Sequence, residues 1–229
     1  MTQALLVANI AVFAWQFLLT LAGAVWVVPG YGLVPVRLSA DPAGEGFTLL
    51  TSMFMHGDWL HLGGNMLFLY VFGDNVEDAL GRLRYLGFYL LCGIVASLGH
   101  YLVDPLSRLP LVGASGAIFG VLGAYMVLYP RAPITVFNPY FILWFVIGPL
   151  PVFPAWLVAG GYFVMNVVRG YFTLGQDITG GTAYFAHIAG FAAGLILVRW
   201  WVKAHVAEPK THWRPPPGGP PPPSEWRAH

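Results

Sequence analysis

The sequence predicts an all-α membrane protein: a bundle of six transmembrane helices with a first loop that is partly embedded in the bilayer. Of the 229 residues, 57% are hydrophobic and only 9% are charged, whereas about a quarter of the residues of a soluble domain are charged. So few charges cannot cover a surface that faces water. The apolar residues also form six runs of about the length that a spanning helix needs, roughly 20 residues.

The chain starts with an apolar run, MTQALLVANIAVFAWQFLLTLAG, that differs from a secretory signal peptide. No Lys or Arg precedes the run, which is longer than a signal sequence requires and contains Asn9 and Gln16. We therefore predict a first span at 4–26 that is retained in the mature protein.

A long, mixed loop follows at about 29–60. It contains Pro29, Pro35, Pro42 and several glycines, and then the stretch FTLLTSMFMHGDWLHL. This stretch is rich in aromatic and apolar residues, so we predict that the loop is partly embedded rather than solvated. The other spans are predicted at 61–80, 85–103, 113–129, 154–169 and 185–202.

The segment 134–153 is apolar enough to suggest a seventh span, but Pro139, Pro149 and Pro151 interrupt it. Each proline removes a backbone donor, and lipid offers no replacement for the lost hydrogen bond. We predict a re-entrant or surface-lying segment and therefore six spans.

The basic residues favour an orientation with both termini in the cytoplasm, because cytoplasmic flanks are enriched in Lys and Arg. With six spans, the outer flanks carry Arg37, Arg108 and Arg169. The inner flanks carry Arg82, Arg84, Arg131, Arg199, Lys203, Lys210 and Arg214.

We predict two parts, a transmembrane domain at 1–203 and a cytoplasmic tail at 204–229. The tail contains RPPPGGPPPPSEW, a composition typical of extended, largely disordered segments, which are solvated or bind SH3-like partners. The net charge of +1 argues against nucleic acid as a partner. His205, His212 and His229 are too dispersed for a metal site, and we expect neither a metal nor a cofactor.

Polar side chains meet at one predicted depth, near the outer face. Ser115 lies at the outer end of the fourth span and His187 near that of the sixth. His61 and Asn65 lie on one face of the second span, four residues apart. Polar groups inside spans are costly and mark functional sites by default.

Serine, histidine and asparagine are residue types that catalyse acyl transfer. A serine hydroxyl becomes a nucleophile when an adjacent base takes its proton, and neutral histidine is the usual base near pH 7. Amide, imidazole and backbone N–H groups can stabilise the oxyanion that forms. Ser115 alone, or His187 alone, would more often be a packing or interhelical residue, so the prediction depends on their coincidence.

Small residues would allow the two helices to approach. Gly116 and Gly120 on the fourth span, and Gly190 and Gly194 on the sixth, form two GxxxG faces. Phe119, one turn after Ser115, is placed to pack against the imidazole of His187.

The motifs HLGGN, GASGAIFG and AHIAGFAAG, in the second, fourth and sixth spans, resemble those of the rhomboid family of intramembrane serine proteases. The resemblance extends over roughly 5–203. It departs from the family pattern at Phe119, where tyrosine is common, and in the first loop, where PVRLSA replaces a Trp-Arg pair.

This resemblance implies a six-helix bundle of rhomboid type in which Ser115 is the nucleophile and His187 its base, with no catalytic aspartate. It implies an oxyanion hole formed by His61, Asn65 and the backbone of Ser115. Supporting positions would be Gly113, Gly116, Phe119, His56, Gly190 and Gly194, and Glu77 would bind helix ends or loop amides. The implied substrates are single-span membrane proteins. The compact chain suggests a bacterial inner membrane.

Two other classes of protein remain open. A catalytically inactive rhomboid-like factor would bind membrane proteins without cutting them, but such a protein normally lacks the serine or the histidine. A small transporter would also contain intramembrane histidines, although with inverted repeats and broken helices at mid-depth.

The glycines at 175–184 suggest a mobile cap over the site or a merely flexible loop.

Overall fold

The computed structural model describes residues 1–137, 140, 148–174 and 183–202. Within these ranges the chain is mostly helical, and each predicted span corresponds to one long helix. In chain order these helices are α1 (Thr2–Leu21), α2 (Trp59–Leu80), α3 (Arg82–Val103), α4 (Ser115–Leu128), α5 (Ala155–Thr173) and α6 (Tyr184–Trp201). The tail at 204–229 lies outside the described residues.

Among the described residues, α1, α3 and α6 are long and apolar enough to cross a membrane. Helix α4 is apolar but has only 14 residues, and α2 carries Asp74, Glu77 and Asp78 in its C-terminal turns. The protein is therefore a helical membrane bundle, as predicted, while the count of six crossings stays a prediction.

Several helix boundaries differ from the predicted spans, and glycine accounts for two of them. Helix α1 ends at Leu21, not at 26, because Gly23 adopts a φ of +86°, a conformation that commonly terminates helices. Helix α4 begins at Ser115 rather than at 113 because Gly113 has a φ of +121°. The second boundary places the serine at the first residue of its helix.

The first loop folds against the bundle. It consists of short helical turns at Val27–Tyr31, Pro35–Ala40, Pro42–Glu45 and Thr48–Thr51, and a 3₁₀ turn at Ser52–Phe54. Leu33, Met53, Met55 and His56 are almost completely buried. This burial explains why the loop sequence is too apolar for a solvated segment.

The segment 134–153 begins and ends in two short strands, which the all-helical prediction missed. β1 (Pro133–Thr135) and β2 (Val152–Pro154) pair antiparallel, with Pro133 opposite Pro154. A full crossing would separate the two ends by roughly 30 Å of hydrocarbon, whereas the strands at the two ends are paired. Residues 138–139 and 141–147 lie outside the described residues.

Helix α4 lies at the centre of the bundle. It contacts α2, α3, α5 and α6, and every residue from Gly116 to Tyr125 is buried. A helix enclosed on all sides has to be apolar all round, which is why α4 has no amphipathic pattern. Its first residue is Ser115, which is half-buried.

Candidate active site

Ser115 occupies the first turn of α4, where backbone amides lack intrahelical partners. The first carbonyl to accept a helical bond is that of Ala114, from the amide of Ile118 at 3.0 Å. No side chain caps this helix among the described residues. The amides of Ser115 and Gly116 are therefore hydrogen-bond donors beside the hydroxyl, at the positive end of the helix dipole.

The structure brings Ser115 and His187 together. The Nε2 atom of His187 lies 2.8 Å from Oγ of Ser115, which is a hydrogen-bond distance. The ring of Phe119 stacks on the imidazole, with centroids 4.2 Å apart and planes inclined by 5°. His187 is 7% exposed, and its contacts with Ser115 and Phe119 restrict the orientation of the ring from two sides.

The two GxxxG faces lie against each other. Because glycine has no side chain, α4 and α6 approach closely enough for Ser115 and His187 to form a hydrogen bond. A Cβ atom on Gly190 would collide with the carbonyl oxygen of Gly116, and one on Gly194 with that of Gly120. Helices α4 and α6 thus touch backbone to backbone.

His61 and Asn65 lie beside Gly113, two residues before the serine. A Cβ atom on Gly113 would lie 2.7 Å from Nε2 of His61 and 3.5 Å from Nδ2 of Asn65. The amide nitrogen of Asn65 is buried and has no hydrogen-bond partner among the described residues. An orphaned buried donor is unusual in a folded protein, and here it lies near the serine.

The tautomer of His61 follows from a second contact. The backbone N–H of Gly57 donates a long hydrogen bond of 3.4 Å to Nδ1 of His61. In a neutral imidazole the other nitrogen then carries the proton. The Nε2–H of His61 is therefore a donor on the side that faces Gly113.

His56, in the first loop, contacts His61. Its backbone is clamped by Gln16, which donates to the His56 carbonyl at 2.6 Å and accepts from its amide at 3.1 Å. Its ring meets that of His61 edge to face, with centroids 5.2 Å apart. Burial, and secondarily the neighbouring His61, lower the pKa of His56 to about 4, so this ring is neutral at pH 7.

Glu77, at the other end of α2, accepts a hydrogen bond of 2.7 Å from the amide of Thr2. The prediction that it binds a helix end is thereby confirmed. Residues 175–182 of the predicted cap lie outside the described residues. The described residues contain no cluster of His, Cys, Asp or Glu that could hold a metal ion.

The sequence reasoning missed Asn166 of α5, which contacts His187 directly. Its Oδ1 lies 2.7 Å from Nδ1 of His187. A signal was present, because Asn166 is a polar residue inside the apolar span predicted at 154–169, and such residues mark function by default. Nothing in its spacing, however, connects it to a histidine on another helix.

The Rhomboid domain family matches residues 43–203. Rhomboid protein 1, mitochondrial, of Saccharomyces cerevisiae is 31% identical over 179 residues, which are 76% of this chain and 46% of that protein. RHOMBOID-like protein 5 of Arabidopsis thaliana is 39% identical over 83 residues, 36% of this chain and 27% of that protein. Rhomboid protease GluP of Bacillus subtilis is 42% identical over 83 residues, 36% of this chain and 16% of that protein.

The matched segments span less than two thirds of the length of each of these relatives. The family match covers most of this chain, including all four helices that carry the polar cluster: α2, α4, α5 and α6. This chain is a member of the rhomboid family of membrane proteins.

Proposed function

We propose that this protein is an intramembrane serine endopeptidase that cleaves transmembrane segments of membrane proteins, with Ser115 as nucleophile and His187 as base. One observation carries the proposal: the 2.8 Å contact between Nε2 of His187 and Oγ of Ser115. It joins two helices at the end of the bundle where His61 and Asn65 also lie.

In the first step, the Ser115 hydroxyl proton moves to Nε2 of His187 while Oγ attacks the scissile carbonyl carbon. The carbonyl π electrons move to oxygen and form a tetrahedral oxyanion. His187 then returns the proton to the leaving amide nitrogen as the C–N bond breaks, which releases the first fragment as an amine. The second fragment stays esterified to Ser115.

The oxyanion forms next to three kinds of donor: the Nδ2 group of Asn65, the Nε2–H of His61 and the backbone amides at the start of α4. A buried donor without a partner needs no reorganisation when negative charge develops nearby, and one such donor contributes about 3–4 kcal/mol in known oxyanion holes. The orphaned nitrogen of Asn65 supports this role.

In the second step, His187 takes a proton from water, and the resulting hydroxide equivalent attacks the ester. The ester C–O bond breaks, His187 returns its proton to Oγ of Ser115, and the second fragment leaves as a carboxylic acid that loses its proton to the solvent. This second step consumes one water molecule, which is consistent with a site near the membrane surface rather than at mid-depth.

The proposed substrates are single-span membrane proteins. We place the protein in a bacterial inner membrane, with its termini in the cytoplasm and the site toward the outer face. The excess of Lys and Arg on the predicted inner flanks supports this orientation.

The nucleophile is tested with a fluorophosphonate probe, which labels activated serines, on the purified protein in detergent. We expect stoichiometric labelling of the wild type and none of Ser115→Ala. Ser97→Ala is the matched control, because Ser97 is a buried serine of α3 and its loss should leave labelling intact. Labelling that survives Ser115→Ala would exclude Ser115 as the nucleophile.

The endopeptidase activity is tested with a single-span protein reconstituted with the enzyme in liposomes. The wild type should yield two fragments whose new termini, read by mass spectrometry, lie within or beside the span. An absence of cleavage for a panel of such substrates, together with a failure to label, would favour the inactive binding factor.

A further inference from the structure

Asn166 makes two hydrogen bonds that use both ends of its amide. Its Nδ2 donates to the backbone carbonyl of Tyr162 at 2.8 Å, and its Oδ1 lies 2.7 Å from Nδ1 of His187. Asn166 is 3% exposed. Neither bond is therefore replaced readily by water.

The bond to Tyr162 determines which end of the amide faces the histidine. A carbonyl oxygen only accepts hydrogen bonds, so the amide NH₂ must point to Tyr162 and the amide oxygen to His187. That oxygen is also only an acceptor, so Nδ1 of His187 must carry a proton. In a neutral imidazole, Nε2 is then unprotonated, and Nε2 is the atom that faces Ser115.

We propose that Asn166 is a positioning residue that holds His187 in the Nδ1–H tautomer and thereby makes Nε2 the proton acceptor. This inference rests on the proposed function and adds a third member to the Ser115–His187 pair. When His187 is protonated during the reaction, Nδ1 keeps its hydrogen and the bond to Asn166 persists. Asparagine orients the histidine in the same way in Cys-His-Asn proteases.

A neutral orienting group suits this environment. The other described side chains that act on His187 are Ser115 and Phe119 of α4 and, electrostatically, His61 of α2 and His100 of α3. None of these is a carboxylate. A buried carboxylate would have to lose its hydration, whereas an amide oxygen provides the same geometry without a charge to desolvate.

The proposal is tested by ¹⁵N NMR of the detergent-solubilised protein labelled at histidine, with the His187 signals assigned by their loss in His187→Gln. At a pH where His187 is neutral, we expect the wild type to show a protonated Nδ1 and an unprotonated Nε2. The opposite tautomer, or an equal mixture of both, overturns the proposal whatever the variants do.

The matched variants are Asn166→Leu and Asn9→Leu. Asn9 is a buried asparagine of α1 that makes the same bond, from Nδ2 to the carbonyl four residues earlier, at 2.8 Å. In Asn166→Leu we expect loss of the single tautomer and a fall in kcat of about ten- to a hundredfold, because a misoriented base costs up to that factor. KM should stay within about twofold, since both ends of the Asn166 amide are bonded to groups of the protein.

Asn9→Leu should leave both the tautomer and kcat unchanged. Equal losses of kcat in the two variants, or a change in KM alone, would reduce Asn166 to a structural residue and overturn the proposal. The tautomer is measured without turnover, so the proposal about Asn166 is tested independently of the endopeptidase activity. A wild type that cleaves nothing yet shows the Nδ1–H form would contradict the proposed function and not the role of Asn166.

Discussion

At the scale of single residues, Gly113 combines two requirements that other amino acids cannot meet together. Its φ of +121° is in a region that L side chains rarely adopt, and a Cβ atom would lie 2.7 Å from the His61 ring. We expect Gly113→Ala to lower kcat/KM by about a hundredfold, because the proposed oxyanion donors would be displaced by a fraction of an ångström to an ångström. Cleavage kinetics and fluorophosphonate labelling measure the loss.

Gly23→Ala is the control for backbone strain. Gly23 has a φ of +86°, and nothing lies within 4 Å of a Cβ atom at this position. Each alanine should cost about 1–3 kcal/mol of stability from backbone strain, but Gly23→Ala should retain activity. An equal loss of activity in both variants would mean that strain, and not displacement of His61, is responsible.

His56 is the second residue with a measurable consequence, through pH. Its pKa is lowered to about 4 in the folded protein, against about 6.5 in an unfolded chain. The folded state therefore binds fewer protons between these values. The stability associated with neutral His56 is present above pH 6.5 and is lost as the pH falls toward 4.

The measurement is the apparent free energy of unfolding in detergent, compared between wild type and His56→Gln from pH 7 to pH 4. The wild type should lose up to about 1.4 kcal/mol per pH unit more than the variant below pH 6.5. Parallel curves would show that His56 is not buried in its neutral form.

At the scale of elements, the contact of α4 with α6 determines the geometry of the candidate site. A Cβ atom on Gly194 would lie 2.8 Å from Cα of Gly120 and even closer to its carbonyl oxygen. Backbone atoms cannot rotate away, so Gly194→Ala must push the helices apart. We expect a loss of about 1–3 kcal/mol and a fall in kcat of about a hundredfold, as His187 moves away from Ser115.

Thermal unfolding and cleavage kinetics test this expectation beside Gly161→Ala. Gly161 is a helical glycine of α5 with nothing within 4 Å of a Cβ atom. Alanine at that position should be neutral or should stabilise the helix by up to about 1 kcal/mol. If both substitutions behave alike, the close contact is not what requires glycine at position 194.

At the scale of the whole molecule, the paired strands at the ends of 134–153 and the basic residues support one orientation. Leu106, between α3 and α4, and Leu83, at the start of α3, are both well exposed and should lie on opposite sides of the membrane. In a variant with the buried Cys92 replaced by Ala, Leu106→Cys should react with an impermeant maleimide in intact cells. Leu83→Cys should react only after lysis. The reverse pattern would invert the proposed topology.

Much of the architecture was predictable because it depends on local sequence. The length of each apolar run predicted a helix, and the prolines of 134–153 argued against a seventh span. The helix ends were less predictable, since the effect of a glycine depends on the backbone conformation that it adopts. Gly23 has a positive φ just after α1 and Gly113 has one just before α4, whereas Gly116 and Gly120 continue α4.

The candidate site shows the same division. Spacing within one helix places His61 and Asn65 on one face of α2, and Ser115 and Phe119 on one face of α4. The sequence by itself therefore determined those pairs. It also determined the small residues between α4 and α6 and the membrane environment. Only the tertiary structure decided that Asn166 bonds to His187, that Gln16 clamps His56 and that Asn65 keeps an unpaired donor. The reason is physical: periodicity determines which side chains share a helix face, but the distance between atoms on different helices depends on how the whole bundle packs.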